Sequence, residues 1–252
     1  GGLSSLAGGK KIAMKINGVA FGSFDHGLHS MFAHTTHPYV THAVCRHLLE
    51  AGAARINIME SYNSDDTIAN IVAALGYDQA EFEAMGDGSQ VRFYSTRNKE
   101  MDEANPQNGF DAYTRIDTAS TGIGAGAPYM FDYFYVNNLW AAPKADVIVS
   151  VGKIKSHQVA GVSLSIKNMF GCLPNSIYGG TSPIDFSTGP NEAETLARGN
   201  ACHLALWTPV GEKAGHGIAP FDSERMPRLL ADLCRALPIR LAVIDGICGI
   251  QG

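Results

Sequence analysis

Two strand-forming runs enclose one helix-forming stretch near the start of this chain, and that succession restricts the fold more than any other feature. Lys11-Ile12-Ala13-Met14-Lys15-Ile16 reads as a strand entered through a Gly-rich turn, and Arg55-Ile56-Asn57-Ile58-Met59-Glu60 as a second. Between them, Pro38 suits the first turn of a helix capped by Thr36 or His37. Val40, Ala43, Val44 and Leu48 recur at helical spacing, and Gly52 is a stop. Residues 17–36 read as a long loop. Strand, helix, strand is a βαβ unit, so the two strands run parallel.

The same alternation continues. A helix begins near Ser64-Asp65-Asp66, carries Ile68, Ile71, Val72 and Leu75 as its apolar stripe, and ends at Gly76. Residues 91–95 form a short strand, and a strand lies within the aromatic-rich residues 129–136. Residues 145–151 make the strongest strand. Helices are expected at 159–170, 192–206 and 224–237, and the last strand at 239–244. Residues 97–128 are polar and Gly-rich and read as a loop excursion. Their Gly122-Ile123-Gly124-Ala125-Gly126 follows no strand and opens no helix, so it is not a dinucleotide-binding turn. These elements predict an α/β fold, a mostly parallel sheet covered by helices on both faces, in one domain over residues 1–252.

The net charge of −5 and the lack of a basic stripe interleaved with aromatics exclude nucleic acid as a partner. No apolar run reaches the roughly 18–20 residues of a membrane span. Cys45, Cys172, Cys202, Cys234 and Cys248 contain no C-x-x-C pair, so buried reduced thiols are expected rather than a zinc ribbon or an iron–sulfur cluster. Trp140 and Trp207 are expected in the core.

In a parallel sheet, ligands bind beyond the carboxyl ends of the strands. Here those ends carry Lys15 and Asn17, then Glu60 and Ser61, then Lys153-Ile154-Lys155-Ser156-His157, and finally Asp245. Lys167-Asn168 follows on the next helix. A cationic cluster in an acidic chain calls for a small anionic molecule. Lys153, Lys155 and Lys167 suit a carboxylate or phosphate, and strand alternation aims Lys153, Lys155 and His157 to one side. Ser163 and Lys167, four apart, share a helix face. His157 has the ordinary pKa of a general acid or base. A lysine crowded by other lysines loses basicity, which suits a nucleophile or a Schiff base.

Six of the nine histidines fall between His26 and His47. His26 with His29, and His34 with His37, have ligand spacing beside Asp25; His34 and His37 are the expected metal pair, with His42 and Cys45 as a second. Gly211–Gly217, with His216, reads as a loop.

The run from Ala145 to His157, and then Gly161-Val162-Ser163-Leu164-Ser165-Ile166-Lys167-Asn168-Met169-Phe170-Gly171, resembles the family known as domain of unknown function 362. Its hallmarks are "aDvvinlpKlKtH" and "gvTlalKNlfG". Lys15-Ile16-Asn17 resembles its early "KpN", and Ile244-Asp245-Gly246 onward its late "vDgi.g.eG". Ile16 stands where the family has Pro, Ser156 where it has Thr, and Gln251 where it has an acid. The family pattern continues with another strand–helix unit, so the resemblance implies a domain lacking its C-terminal end. It also implies association with iron–sulfur proteins. His157 and Lys167 share the spacing of the His and the cofactor-holding Lys in lactate-racemase-like proteins.

These readings converge on an enzyme. Catalytic roles fall to His157 and Lys167, and substrate binding to Lys15, Asn17, Lys153, Lys155, Asn168 and Asp245. A divalent metal at His34 and His37 is the expected cofactor. The reaction class stays open between racemase- or lyase-like proton transfer and redox-linked chemistry. The alternative is a non-catalytic module that binds a ligand or docks an iron–sulfur partner; a homo-oligomer is left open. The expected location is the cytoplasm, or outside it if an N-terminal signal has been removed.

Overall fold

The computed structural model describes residues 2–18, 27–62, 67–96, 113–118, 127–157, 160–174 and 224–247, with positions 178, 212, 213, 215 and 217. Five parallel strands make the central sheet in the order β3–β2–β1–β6–β9. They are β1 Lys11–Ile16, β2 Arg55–Glu60, β3 Val91–Ser95, β6 Val147–Lys153 and β9 Ile239–Asp245. β1 and β2 carry the boundaries expected from sequence. Two small antiparallel ribbons stand apart: β4 Tyr113–Asp117 with β5 Tyr133–Asn137, and β7 Lys155–His157 with β8 Gly161–Ser163.

Alternation along the strands sends side chains to two cores. Ile12, Met14, Ile16, Ile56, Ile58, Val149 and Val151 face one side. They meet α1 (Leu3–Ala7), α3 (Pro38–Glu50), α4 (Ile68–Ala74) and α5 (Gln79–Glu83) through Ala7, Cys45, Leu48, Ile71, Val72 and Phe82. Ala13, Met59 and Ile148 face the other side. There they pack under the β4–β5 ribbon, Trp140, a 3₁₀ turn at Met169–Cys172 and α7 (Arg225–Ala236). Buried Asp232 on α7 accepts from the backbone N–H groups of Tyr129, Met130 and Phe131, at 2.9, 2.6 and 2.9 Å, and ties the ribbon's entry to that helix. The α/β architecture expected from the sequence is the one observed. No helix is long and apolar enough to cross a membrane among the described residues.

Three local expectations need correction. The loop 17–36 contains α2, Gly27–His34, whose Leu28, Met31 and Phe32 keep helical spacing. The excursion 97–128 contains β4, which places Tyr113 in the core. The helix at 159–170 is instead β8, then one turn of helix, α6 (Ser165–Asn168), and then the 3₁₀ turn. Gly161 takes φ +73°, closing the β7–β8 ribbon. Ser163 is therefore in a strand and shares no helix face with Lys167. The expected start of α4 at Ser64-Asp65-Asp66, the helix at 192–206, Gly122–Gly126, Cys202, Trp207, His216, Cys248 and Gln251 lie outside the described residues.

Candidate functional site

The strand order has a physical consequence. From central β1 the chain moves outward to β2 and β3, then returns to the other side of β1 for β6 and β9. The connections leaving β1 and β6 therefore depart in opposite directions and open a crevice at their carboxyl ends, the usual ligand position in such sheets. Thr36 spans this crevice. Its hydroxyl donates to the carbonyl of Val151 on β6 and accepts from the N–H of Asn17 after β1, each at 2.8 Å.

Beside it lies the first of two buried ion pairs. Lys15 Nζ and Glu60 Oε2 are 2.6 Å apart, with side chains 1% and 2% exposed. Lys15 Nζ also donates to the Ile16 carbonyl (2.6 Å) and to Asn168 Oδ1 (3.3 Å). The Glu60 carboxylate accepts from the N–H groups of Gly18 and Ser61, at 3.0 and 2.9 Å. Asn168 Nδ2 returns to the Lys15 carbonyl (3.1 Å) and the Ser150 hydroxyl (3.0 Å), locking α6 to β1 and β6. Two glycines allow this approach. A Cβ on Gly171 would stand 2.2 Å from Glu60 Oε1, and one on Gly152 would stand 3.0 Å from the backbone of Leu164 and Ser165.

The second pair joins β6 to β9 at the last rung of their ladder, Lys153 opposite Asp245. Lys153 Nζ and Asp245 Oδ2 are 3.0 Å apart and fully buried. Asp245 Oδ2 also accepts from the His37 N–H at 2.8 Å, which sets a carboxylate at the positive end of α3. The His37 ring accepts from the Tyr39 N–H through Nδ1, at 3.2 Å, and caps the same helix. Burial lowers the His37 pKa; Asp245 opposes this and Lys153 adds to it.

Two further lysines have no carboxylate partner among the described residues. Lys155 Nζ donates to the His34 carbonyl at the end of α2, 2.7 Å away. Lys167 Nζ sits over the Phe170 ring, 4.5 Å from its centre. Burial pulls each down to about 8; neighbouring Lys15 and Lys153 reinforce this at Lys155, and Lys15 and Lys155 at Lys167, while Glu60 opposes it at both. The chain thus gathers four lysines and two carboxylates at one sheet edge.

The half of the chain that holds β5 to β9 decides its family. The chain belongs to the DUF362 family. The family model, a domain of unknown function, matches residues 127–252. That match includes Lys153, Lys155, His157, Lys167, Asn168 and Asp245, whereas the likeness drawn through Lys15-Ile16-Asn17 lies outside it. A crystal structure of a Thermotoga maritima protein from a structural genomics consortium is 13% identical, with a TM-score of 0.40. The alignment covers 94% of this chain and 47% of that one, so the chain spans about half the length of that protein. No curated protein matches the chain.

Eight of the ten residues singled out from sequence thus lie in one bonded or electrostatically coupled group, Lys15, His34, His37, Lys153, Lys155, Lys167, Asn168 and Asp245, and Asn17 lies beside it, bonded to Thr36. Lys153 and Lys155 are not aimed together by one strand. β6 stops at Lys153, the chain turns at exposed Ile154, and β7 pairs antiparallel with β8. His157 ends β7 opposite Gly161, and its side chain lies outside the described part of the structure. His34, at the end of α2, and His37, at the start of α3, join the group through backbone atoms, the His34 carbonyl and the His37 N–H. Among the described residues, no three His, Cys, Asp or Glu side chains are grouped to hold a metal ion. His42 instead meets Glu81 (3.4 Å), and Cys45 is buried in the core. His26 and the His29 side chain lie outside the described residues.

Sequence reading placed Glu60 and Ser61 at a strand end but gave no role to two features there. Glu60 is as central as any lysine. The second is a row at the carboxyl ends of three adjacent strands: the register pairs Lys15 with Met59 and Met59 with Tyr94, which sets Asn17, Ser61 and Thr96 side by side. Asn17 Oδ1, Ser61 Oγ and Thr96 Oγ1 are all buried without a hydrogen-bond partner among the described residues. A groove of about 550 Å³ lined by Lys10, Trp140, Leu237 and Arg240 lies at the opposite, amino-terminal edge.

Proposed function

We propose that this protein binds a small anionic molecule at the carboxyl edge of its sheet and acts on it as an enzyme, with His157 moving a proton. The observation that carries the reading is the charge imbalance at the crevice. Glu60 and Asp245 neutralise Lys15 and Lys153, whereas Lys155 and Lys167 have no described counter-charge. A partly buried ammonium without a counter-ion is costly, and an incoming carboxylate or phosphate removes that cost. Asn168 holds the frame, and Asn17 adds a buried amide oxygen beside it.

The test is calorimetric titration at pH 7 with inorganic phosphate and a panel of small carboxylates. Replacing Lys155 or Lys167 by Met is expected to weaken binding by about 10- to 100-fold, the worth of one charge-assisted hydrogen bond of about 1.5–3 kcal/mol. Any carboxylate that binds is then incubated in D₂O, and exchange at its α-carbon is followed by NMR. Exchange that disappears in His157→Ala while binding persists supports the enzyme. Binding without exchange leaves a binding module, and no binding by any anion refutes the site.

A further inference from the structure

The two lysines without carboxylates are not equivalent. Lys155 has an acceptor: its ammonium donates to the His34 carbonyl at the negative end of α2, which orients it as a cation, although burial lowers both lysines alike. Lys167 has none among the described residues. Its amine rests on the face of Phe170, remains partly open to solvent, and lies near the positive charges of Lys15 and Lys155. A ring face attracts a cation weakly but accepts no strong hydrogen bond. An amine on an apolar surface, next to other cations, is the setting in which lysine becomes a nucleophile toward carbonyl carbon.

We propose that Lys167 forms an imine with a small oxo acid whose carboxylate is held by Lys155. This deepens the reading above and rests on it, since the anion supplies the orientation. The neutral amine of Lys167 attacks the carbonyl carbon, a C–N bond forms, and the C=O π electrons pass to oxygen. The nitrogen gives up two protons, the oxygen takes up two and leaves as water, and a C=N bond remains. No oxidant or reductant is required. The imine then withdraws electrons from the adjacent carbon and acidifies the bond that a general base would attack, which joins this step to proton transfer. The charged groups bearing on Lys167 are Lys15 from β1 and Lys155 from β7, which favour the free amine, and Glu60 from β2, which opposes it.

The experiment is reductive trapping of the full chain with pyruvate and cyanoborohydride, read by peptide mass spectrometry, with acetone as the neutral counterpart. The expected result is one carboxyethyl group on Lys167, formed at least tenfold faster than on any other lysine. Its rate is expected to rise with pH to a midpoint near 8. Lys167→Arg keeps the charge and is expected to retain acetate binding while losing the adduct. Lys155→Met is expected to slow the pyruvate adduct far more than the acetone adduct, which slows only as far as Lys167 regains basicity without Lys155 beside it. Adducts spread evenly over the lysines, or acetone trapped as readily as pyruvate, would overturn the proposal. Retained acetate binding with no adduct would sink the imine and leave the anion site standing; lost acetate binding would remove both. A thermal melt on each variant separates these outcomes from unfolding.

Discussion

Replacing Glu60 by Gln is the sharpest perturbation of the frame around the site. The volume barely changes, but the charge opposite Lys15 is lost at 2.6 Å, where both side chains are almost wholly buried. Coulomb attraction at that distance is about 6 kcal/mol at an effective dielectric near 20. Desolvation has already been borne by both ions, so removing one exposes the full cost of the other, about 3–5 kcal/mol. The new amide makes matters worse. Both carboxylate oxygens now accept backbone N–H groups, from Gly18 and Ser61, and an NH₂ in either place sets a donor against a donor. Against a total stability of about 5–15 kcal/mol, Glu60→Gln is expected to leave a marginal fold. Urea denaturation measures the loss, and Lys15→Met completes a double-mutant cycle. The double variant is expected to be more stable than Glu60→Gln alone, with a coupling of about 2–3 kcal/mol. A loss below about 1 kcal/mol with no coupling is the behaviour of a solvated pair; it would refute the buried frame.

Two other outcomes follow. Thr96→Val removes a buried hydroxyl that has no partner among the described residues, so it is expected to be neutral or to stabilise by up to about 1 kcal/mol by thermal melt; a loss above about 2 kcal/mol would mean that the hydroxyl is bonded after all. Lys155 and Lys167 are lowered from 10.5 to about 8 in the fold. Below pH 8 both states carry the protons and the fold bears the cost; between 8 and 10.5 the unfolded chain holds more protons, so stability rises with pH, by up to roughly 3 kcal/mol per lysine. Cys45, Cys172 and Cys234, raised by burial, act in the opposite sense above their ordinary value of 9.0, where the unfolded thiols ionise first. The comparison is therefore wild type against Lys155→Met/Lys167→Met, in which the thiols cancel; a difference flat from pH 8 to 10 would refute it.

The parallel sheet was legible because its strands are local apolar runs separated by capped helices. β1 and β2 follow from periodicity alone, and Pro38 with His37 marks the start of α3. Positions past the strand ends were legible for the same reason, so Lys15, Lys153 and Asp245 could be placed at one edge. Their partners were not, because pairing is a matter of strand order. Lys15 meets Glu60 only because β2 adjoins β1, and Lys153 meets Asp245 only because β9 adjoins β6. The region after His157 failed for a different reason. Residues 159–170 read as a helix, yet Gly161 at φ +73° belongs to a ribbon, and the backbone of Leu164 and Ser165 closes on Gly152 where α6 begins.

The division of the lysines is itself an argument about function. A sheet edge selected for stability alone would not keep Lys155 and Lys167, since an apolar side chain of similar length fills the same space without the desolvation cost. Lys15 and Lys153 are different: each carries a carboxylate that also accepts backbone N–H groups, so each is built into the fold. Glu60 further limits how far Lys155 and Lys167 lose basicity, because it raises both while Lys15 lowers both. Burial is the larger effect on both, and the buried pair adjusts it. The same frame that fixes the strands leaves one amine with an acceptor and one without among the described residues, the two electrostatically coupled. Under the proposed reading, that asymmetry gives an anionic substrate with a reactive carbon one cation to hold it and one amine to meet it.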